Sequence, residues 1–122
     1  MPKVLLVDDD HDLVYLSKEV FLKQGFDVLT AHDGLEALRL LKIETPDAMV
    51  IDLTMPQMSG WQLAMKIRAD QRFGKTPIIA LSGLLERDAD PEQSDYIDAY
   101  VVKPFDIFKL IEKIKELLGK KP

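Results

Sequence analysis

The chain has 122 residues and a net charge of -5, with 47% hydrophobic and 30% charged residues. This composition is typical of one soluble globular domain, and we expect residues 1–122 to form a single domain. The absence of cysteine excludes disulfides and thiolate metal sites and favours a cytoplasmic setting. No apolar run approaches the roughly 20 residues of a membrane span, so we expect no membrane association.

The negative charge is concentrated between Glu86 and Asp98, where six acids accompany a single base, Arg87. The rest of the chain is balanced, with 15 acids and 15 bases. Because direct nucleic-acid binding requires a basic face, we expect no direct nucleic-acid contact. The acidic stretch could select a basic partner, although a solvated loop is the simpler interpretation.

Apolar segments of strand length alternate with segments of helical period along the chain. Strands are predicted at residues 3–8, 27–31, 48–52, 77–82 and 99–103. Helices are predicted after the first three strands, from about Leu13 to a stop at Gly25, from a cap at Asp33, and over residues 61–69. A last helix is predicted after Asp106, with Gly119 following it. The alternation indicates an α/β fold with a parallel sheet covered on both faces.

The segment between the fourth and fifth strands breaks the pattern. Residues 84–97 have the length of a helix, but Pro91 interrupts them and they show little apolar period. We therefore expect a short or shifted helix there.

Reactive side chains stand at the ends of four of the five predicted strands. They are Asp8, Asp9 and Asp10 after the first strand, Asp52 at the third, Ser82 at the fourth and Lys103 at the fifth. Open parallel sheets bind ligands outside the carboxyl ends of their strands, so these groups are expected to share one crevice. Asp10 is better interpreted as a cap for the following helix.

Three converging carboxylates, those of Asp8, Asp9 and Asp52, need a cation. Hard oxygen ligands suit Mg²⁺, which favours a few carboxylates together with water and phosphate oxygens. The amine of Lys103 and the hydroxyl of Ser82 could hold the remaining oxygens of a phosphoryl group. A carboxylate can itself be a nucleophile and form an acyl phosphate.

Four motifs, VLLVDDD, VIDLTMPQMSG, IIALSG and YVVKPF, resemble the receiver domain of two-component response regulators, including the chemotaxis type. The resemblance covers essentially the whole chain. It implies a doubly wound, flavodoxin-like sheet of five parallel strands in the order 2-1-3-4-5. In that order the second strand, which ends in Ala31 and His32, lies at an edge away from the crevice.

The resemblance also implies the roles of the site residues. Asp52 would be the phosphoacceptor, attacking a phosphohistidine on a partner histidine kinase or phosphotransfer protein. Asp9 would bind Mg²⁺ directly, Asp8 mostly through water, and the backbone carbonyl of Thr54 would be a further ligand. Lys103 would pair with the phosphoryl group or, before phosphorylation, with Asp52.

Two further residues are implied to transmit the signal. Ser82 would donate a hydrogen bond to a phosphoryl oxygen, and Tyr100 would then turn inward. That motion would remodel the face formed by the fourth helix, the fifth strand and the fifth helix. The Lys103–Pro104 peptide bond is expected to be cis. The sequence departs from the family pattern at Gly83, where alanine is usual, and in the acidic stretch, which lacks the usual apolar face.

Three functions remain open at the level of sequence. A phosphoacceptor switch, which is not an enzyme with a separate substrate, is the leading hypothesis. A Mg²⁺-dependent phosphohydrolase of the haloacid dehalogenase kind is less favoured, because Asp52-Leu53-Thr54 lacks the second Asp of the DxD motif. A receiver-like interaction scaffold is the third. No effector domain follows Leu118, so we expect a stand-alone regulator or a fragment of a longer protein with an unidentified output partner.

Overall fold

Five parallel strands and the helices between them follow the alternation of the sequence. A computed structural model describes residues 1–83 and 95–119. The strands are β1 (Lys3–Val7), β2 (Asp27–Ala31), β3 (Ala48–Asp52), β4 (Ile78–Ser82) and β5 (Ala99–Val102). The helices are α1 (His11–Lys23), α2 (Gly34–Leu41), α3 (Gly60–Arg68) and the C-terminal helix (Ile107–Gly119), with a 3₁₀ turn at Gln71–Phe73.

The strand order is β2-β1-β3-β4-β5, and every pair is parallel, which confirms the predicted doubly wound sheet. Strands β3 and β4 are buried along their whole length, as expected for strands covered on both faces. Alternate residues face two cores. Leu5 and Ile51 pack with α2 and α3, whereas Val4 and Val50 pack with the C-terminal helix and Phe21 of α1.

Side-chain caps begin α1 and α2 where the sequence predicts them. Asp10 accepts a hydrogen bond from the Leu13 amide at 3.1 Å, and Asp33 accepts one from the Glu36 amide at 2.8 Å. Helix α3 starts with a complete capping box that the sequence interpretation missed, in which Ser59 and Gln62 bond each other's backbone amides. These caps satisfy amides that have no partner within the helix.

The predicted boundaries differ from the structure by one residue at several ends. Strand β1 ends at Val7 and β5 at Val102, so Asp8 and Lys103 lie immediately beyond their strands. Helix α3 spans Gly60–Arg68 instead of 61–69. The short or shifted helix predicted over 84–97 falls mainly on residues 84–94, which lie outside the described residues. None of the helices in the described ranges is long and apolar enough to cross a membrane.

Arg68 links the end of α3 to the segment that precedes β5. Its guanidinium donates four hydrogen bonds, three of them to the backbone carbonyls of Phe73, Thr76 and Tyr96 at 2.7, 2.7 and 3.2 Å. The fourth goes to Asp98 Oδ2 at 2.8 Å, and that same oxygen accepts the Ile78 amide. Asp98 is therefore a structural partner of α3 and β4 as well as an exposed residue of the acidic stretch.

Candidate functional site

Three carboxylates lie together at the carboxyl ends of β1 and β3. One oxygen from each of Asp8, Asp9 and Asp52 lies within 4.8 Å of the others. Asp8 and Asp52 are buried, at 3% and 4% exposure, whereas Asp9 is open to solvent. The neighbouring pairing of β1 with β3 brings them together, because parallel strands end on the same edge of the sheet. Such a set of hard oxygen donors fits a divalent cation.

The pKa of the Asp52 carboxyl group is raised by its surroundings. Burial and then the negative charge of Asp8 raise the pKa of Asp52 from 3.8 to about 6, although Lys103 and the Thr54 amide oppose the shift. The Thr54 amide donates to Asp52 Oδ1 at 3.3 Å. Asp52 is thus a buried carboxylate, and a cation bound beside it would stabilise its ionised form.

Lys103 supplies the only positive charge that the described residues place against these acids. Its Nζ lies 2.9 Å from Asp8 Oδ2 and 3.5 Å from Asp52 Oδ2. Burial lowers the pKa of Lys103, but the two carboxylates outweigh burial and leave the pKa above its usual value. The amine is therefore protonated at neutral pH. The Lys103–Pro104 bond is cis, as the resemblance to receiver domains implies.

Ser82 ends strand β4 beside this ion pair. Its side chain is completely buried, and within the described part of the chain its Oγ has no hydrogen-bond partner. The Lys103 amide donates to the Ser82 carbonyl at 2.9 Å, which fixes the two residues side by side. A buried hydroxyl without a partner is costly, and a ligand oxygen would relieve that cost.

The two ends of the loop that follows Asp52 lie close together. The Gly60 amide donates to the Leu53 carbonyl at 2.9 Å, which closes the loop. A Cβ at position 60 would overlap the Asp52 carbonyl oxygen, so only glycine allows α3 to begin this close to β3.

Gln57 has a left-handed backbone with φ of 70°, in this same loop. A residue with a β-carbon is strained in that region, so Gln57→Gly should relieve strain. The greater entropy of glycine in the unfolded chain offsets part of this gain, and we expect a net stabilisation of about 0.5 kcal/mol. Urea denaturation monitored by circular dichroism measures the difference. Gln57→Ala is the control and should give no gain, because it retains the β-carbon. Equal stabilisation by both variants would contradict the backbone explanation.

Comparison with known families decides the classification of this fold and site. The family model described as the response regulator receiver domain matches residues 4–115. The chain belongs to this family. A receiver domain is part of a two-component signalling system, and the acidic pocket of this one is consistent with a phosphoacceptor site.

Curated relatives of this receiver domain include transcriptional regulators. The transcriptional regulatory protein PrrA of Mycobacterium tuberculosis is 37% identical over 121 residues, which are 98% of this chain and 51% of PrrA. The chain therefore spans about half the length of that relative. The polar-differentiation response regulator DivK of Brucella anthropi is 28% identical, with 98% of each chain covered.

Solved receiver structures share the fold closely. The receiver domain of the Francisella response regulator 1452 superposes with a TM-score of 0.87 at 36% identity, covering 98% of each chain. The response regulator TrrA of Thermotoga maritima, solved in complex with Mg(2+)-BeF, gives 0.84 at 34% identity, covering 96% of this chain and 99% of TrrA.

The structure brings most of the predicted site residues of the receiver domain to one place. The carboxylates of Asp8, Asp9 and Asp52 lie together, Lys103 pairs with Asp8 and Asp52, and Ser82 adjoins Lys103. Tyr100, on β5, instead contacts the ring of α3 residue Trp61.

One contact near the site was missed at the level of sequence. His11 and His32 stack face to face, with ring centroids 3.8 Å apart and planes at 6°. Because the rings are parallel, their nitrogen lone pairs do not converge on a common metal position. The pairing of β1 with β2 creates this contact, and no local motif predicts it.

Proposed function

We propose that Asp52 is the phosphoacceptor of this receiver domain and that Mg²⁺ is its cofactor. Asp8, Asp9 and Asp52 would hold the cation together with the backbone carbonyl of Thr54. When bound, the cation neutralises charge on the phosphoryl oxygens during transfer. The donor set supports this choice. It contains three carboxylates, two of them buried, and Lys103 alone does not balance their negative charge.

The transfer step would use the carboxylate of Asp52 as the nucleophile. One carboxylate oxygen attacks the phosphorus of a phosphohistidine on the partner kinase or phosphotransfer protein. The new O–P bond forms as the P–N bond breaks, and the imidazole leaves with the electron pair. Lys103 would neutralise a phosphoryl oxygen, and the hydroxyl of Ser82 would donate to another.

The observation that carries this proposal is the pairing of Lys103 with both Asp8 and Asp52, next to the end of β4 that carries the buried hydroxyl of Ser82. A phosphoryl group attached to Asp52 would lie within reach of a cation site, a protonated amine and a hydroxyl that has no partner among the described residues. Each of these groups would gain a partner in the phosphorylated state. The arrangement therefore favours phosphorylation over a purely structural role.

Signal output would follow from movement at Ser82 and Tyr100. We propose that Ser82 turns toward the phosphoryl group and that the inward position of Tyr100 becomes favoured, which alters the surface around β5 and the C-terminal helix. That surface would contact an output partner or effector domain, whose identity differs among regulators. The protein would act as a switch that accepts one phosphoryl group, not as a catalyst of repeated turnover.

Labelling with radioactive acetyl phosphate and Mg²⁺ tests the proposal. We expect the wild type to take up label approaching one phosphoryl group per chain and Asp52→Asn to take up essentially none. Asp27→Asn, which neutralises an exposed carboxylate at the opposite end of the sheet, is the matched control and should label normally. Chelation of Mg²⁺ should abolish labelling of the wild type.

Two outcomes would contradict the phosphoacceptor proposal. Absence of label on the folded wild type would support the scaffold hypothesis. Repeated hydrolysis of a phosphate ester, dependent on Asp52, would support the phosphohydrolase hypothesis instead.

A further inference from the structure

Trp61 and Tyr100 form an aromatic pair between α3 and β5. Their ring centroids are 5.9 Å apart and their planes are tilted by 53°, within the range of a favourable aromatic contact. Both rings are half-buried and pack against the core on the α2 and α3 side of the sheet. Trp61 is the only tryptophan of the chain.

The backbone of Trp61 is held in a fixed position relative to Asp52. Trp61 follows Gly60, whose amide bonds the Leu53 carbonyl and whose missing side chain lets α3 lie against the Asp52 carbonyl. The capping box of Ser59 and Gln62 fixes the same helical turn. Movement of Trp61 away from β3 would therefore break several contacts at once.

Tyr100 reaches toward α3 across strand β4. The strand register aligns Ile51 with Ala80 and Ala80 with Tyr100, and the side chains of Ile51 and Ala80 belong to the core against which Tyr100 packs. Ala80, the strand neighbour of Tyr100 on β4, contributes only a methyl group to this core. Burial raises the pKa of the Tyr100 phenol, in keeping with a ring partly withdrawn from water.

We propose that Trp61 is a positioning residue that holds Tyr100 against the sheet and thereby increases the affinity of the site for a phosphoryl group. This inference rests on the proposed function, in which phosphorylation favours the inward position of Tyr100, and it identifies that inward position with the one seen here, in which the ring packs on the core and contacts Trp61. A contact that stabilises the inward position before phosphorylation reduces the free energy that the phosphoryl group must supply. By linkage, binding at Asp52 strengthens the contact between the two rings.

Binding of beryllofluoride in the presence of Mg²⁺ measures this coupling. Beryllofluoride stands in for the phosphoryl group on Asp52, and calorimetry gives its affinity. We expect Trp61→Leu to weaken binding about three- to tenfold, the equivalent of one aromatic contact. Trp61→Phe should recover most of the affinity because it keeps a ring. Met65→Ala, an exposed position one turn along α3, is the matched control and should bind like the wild type.

A double-mutant cycle separates positioning from a structural role. In a Tyr100→Ala background, Trp61→Leu should change beryllofluoride affinity by less than about 1.5-fold, because the contact has already been removed. If Trp61→Leu instead disturbs α3 as a whole, it should still weaken beryllofluoride binding in the Tyr100→Ala background. That result would overturn the inference. Unchanged or increased affinity of the single variant would also overturn it.

The result distinguishes this inference from the function on which it rests. Normal binding by the wild type with no effect of Trp61→Leu would refute the positioning role alone. No binding by the wild type, together with no labelling of Asp52, would refute both.

Discussion

The Asp52→Asn variant is expected to be more stable than the wild type by about 2 kcal/mol near neutral pH in metal-free buffer. Burial and the charge of Asp8 disfavour the ionised form of Asp52 in the folded protein and raise its pKa to about 6. Asparagine has nearly the same shape but carries no charge, so it avoids that cost. The free energy of unfolding from urea denaturation in the presence of a chelator measures the difference.

The pH dependence of this difference has a definite sign. The pKa of Asp52 is about 6 in the folded protein against 3.8 ordinarily, so between these values the folded wild type binds more protons than the unfolded chain. Its stability therefore falls as the pH rises through this window and stays lower above it. Asp52→Asn lacks this contribution, so its advantage should be absent near pH 4 and complete above about pH 7.

Two controls identify the cause of this stabilisation. Asp27→Asn should show no comparable pH-dependent gain, because that carboxyl is exposed. Added Mg²⁺ should stabilise the wild type more than Asp52→Asn and so reduce the difference, since the cation binds the ionised carboxylate. A metal-free Asp52→Asn variant less stable than the wild type at neutral pH would contradict the prediction.

Replacement of Arg68 by alanine is expected to lower the free energy of unfolding by about 3 kcal/mol, mainly because it leaves partly buried hydrogen-bond acceptors without a donor. The Arg68 side chain is only 13% exposed, and its guanidinium serves three backbone carbonyls and Asp98. Arg68→Lys should recover less than half of the loss, because an ammonium cannot reproduce the planar arrangement of donors. Urea denaturation of the three proteins gives these values.

Arg72 provides the matched control for this experiment. Its guanidinium pairs with Asp70 on the surface, bonds one carbonyl, that of Leu41, and lies over the Phe73 ring. We expect Arg72→Ala to cost about 1 kcal/mol, since exposed ion pairs contribute little. Equal losses of stability in the Arg68 and Arg72 variants would show that the partly buried carbonyls at Arg68 do not need its donors.

The sheet and the site could be predicted because both depend on local patterns. Buried strands appear as short apolar runs, and each reactive residue of the site directly follows or ends such a run. The parallel arrangement then places Asp8, Asp52 and Lys103 on one edge without further information. The strand order itself came from the resemblance to receiver domains, because apolar runs alone do not specify which strands are neighbours.

The contacts that the sequence did not reveal are tertiary. The residues that flank Arg68 and Asp98 in the sequence are typical of exposed segments, so they do not reveal this ion pair. Only the fold brings α3 against the start of β5. The pairs His11 with His32 and Trp61 with Tyr100 join separate elements in the same way. The acidic neighbours of Asp98 gave no sign that its carboxylate accepts a hydrogen bond from the Ile78 amide.

The closed loop between Leu53 and Gly60 has a consequence for sequence variation. Its two ends are joined by a backbone hydrogen bond, and its last residue lies against the strand that carries Asp52. Side chains along the loop can change without altering this connection, but an inserted or deleted residue would rotate or displace α3 and carry Trp61 away from Tyr100. We therefore expect proteins with this site to conserve the number of residues in the loop more strictly than their types.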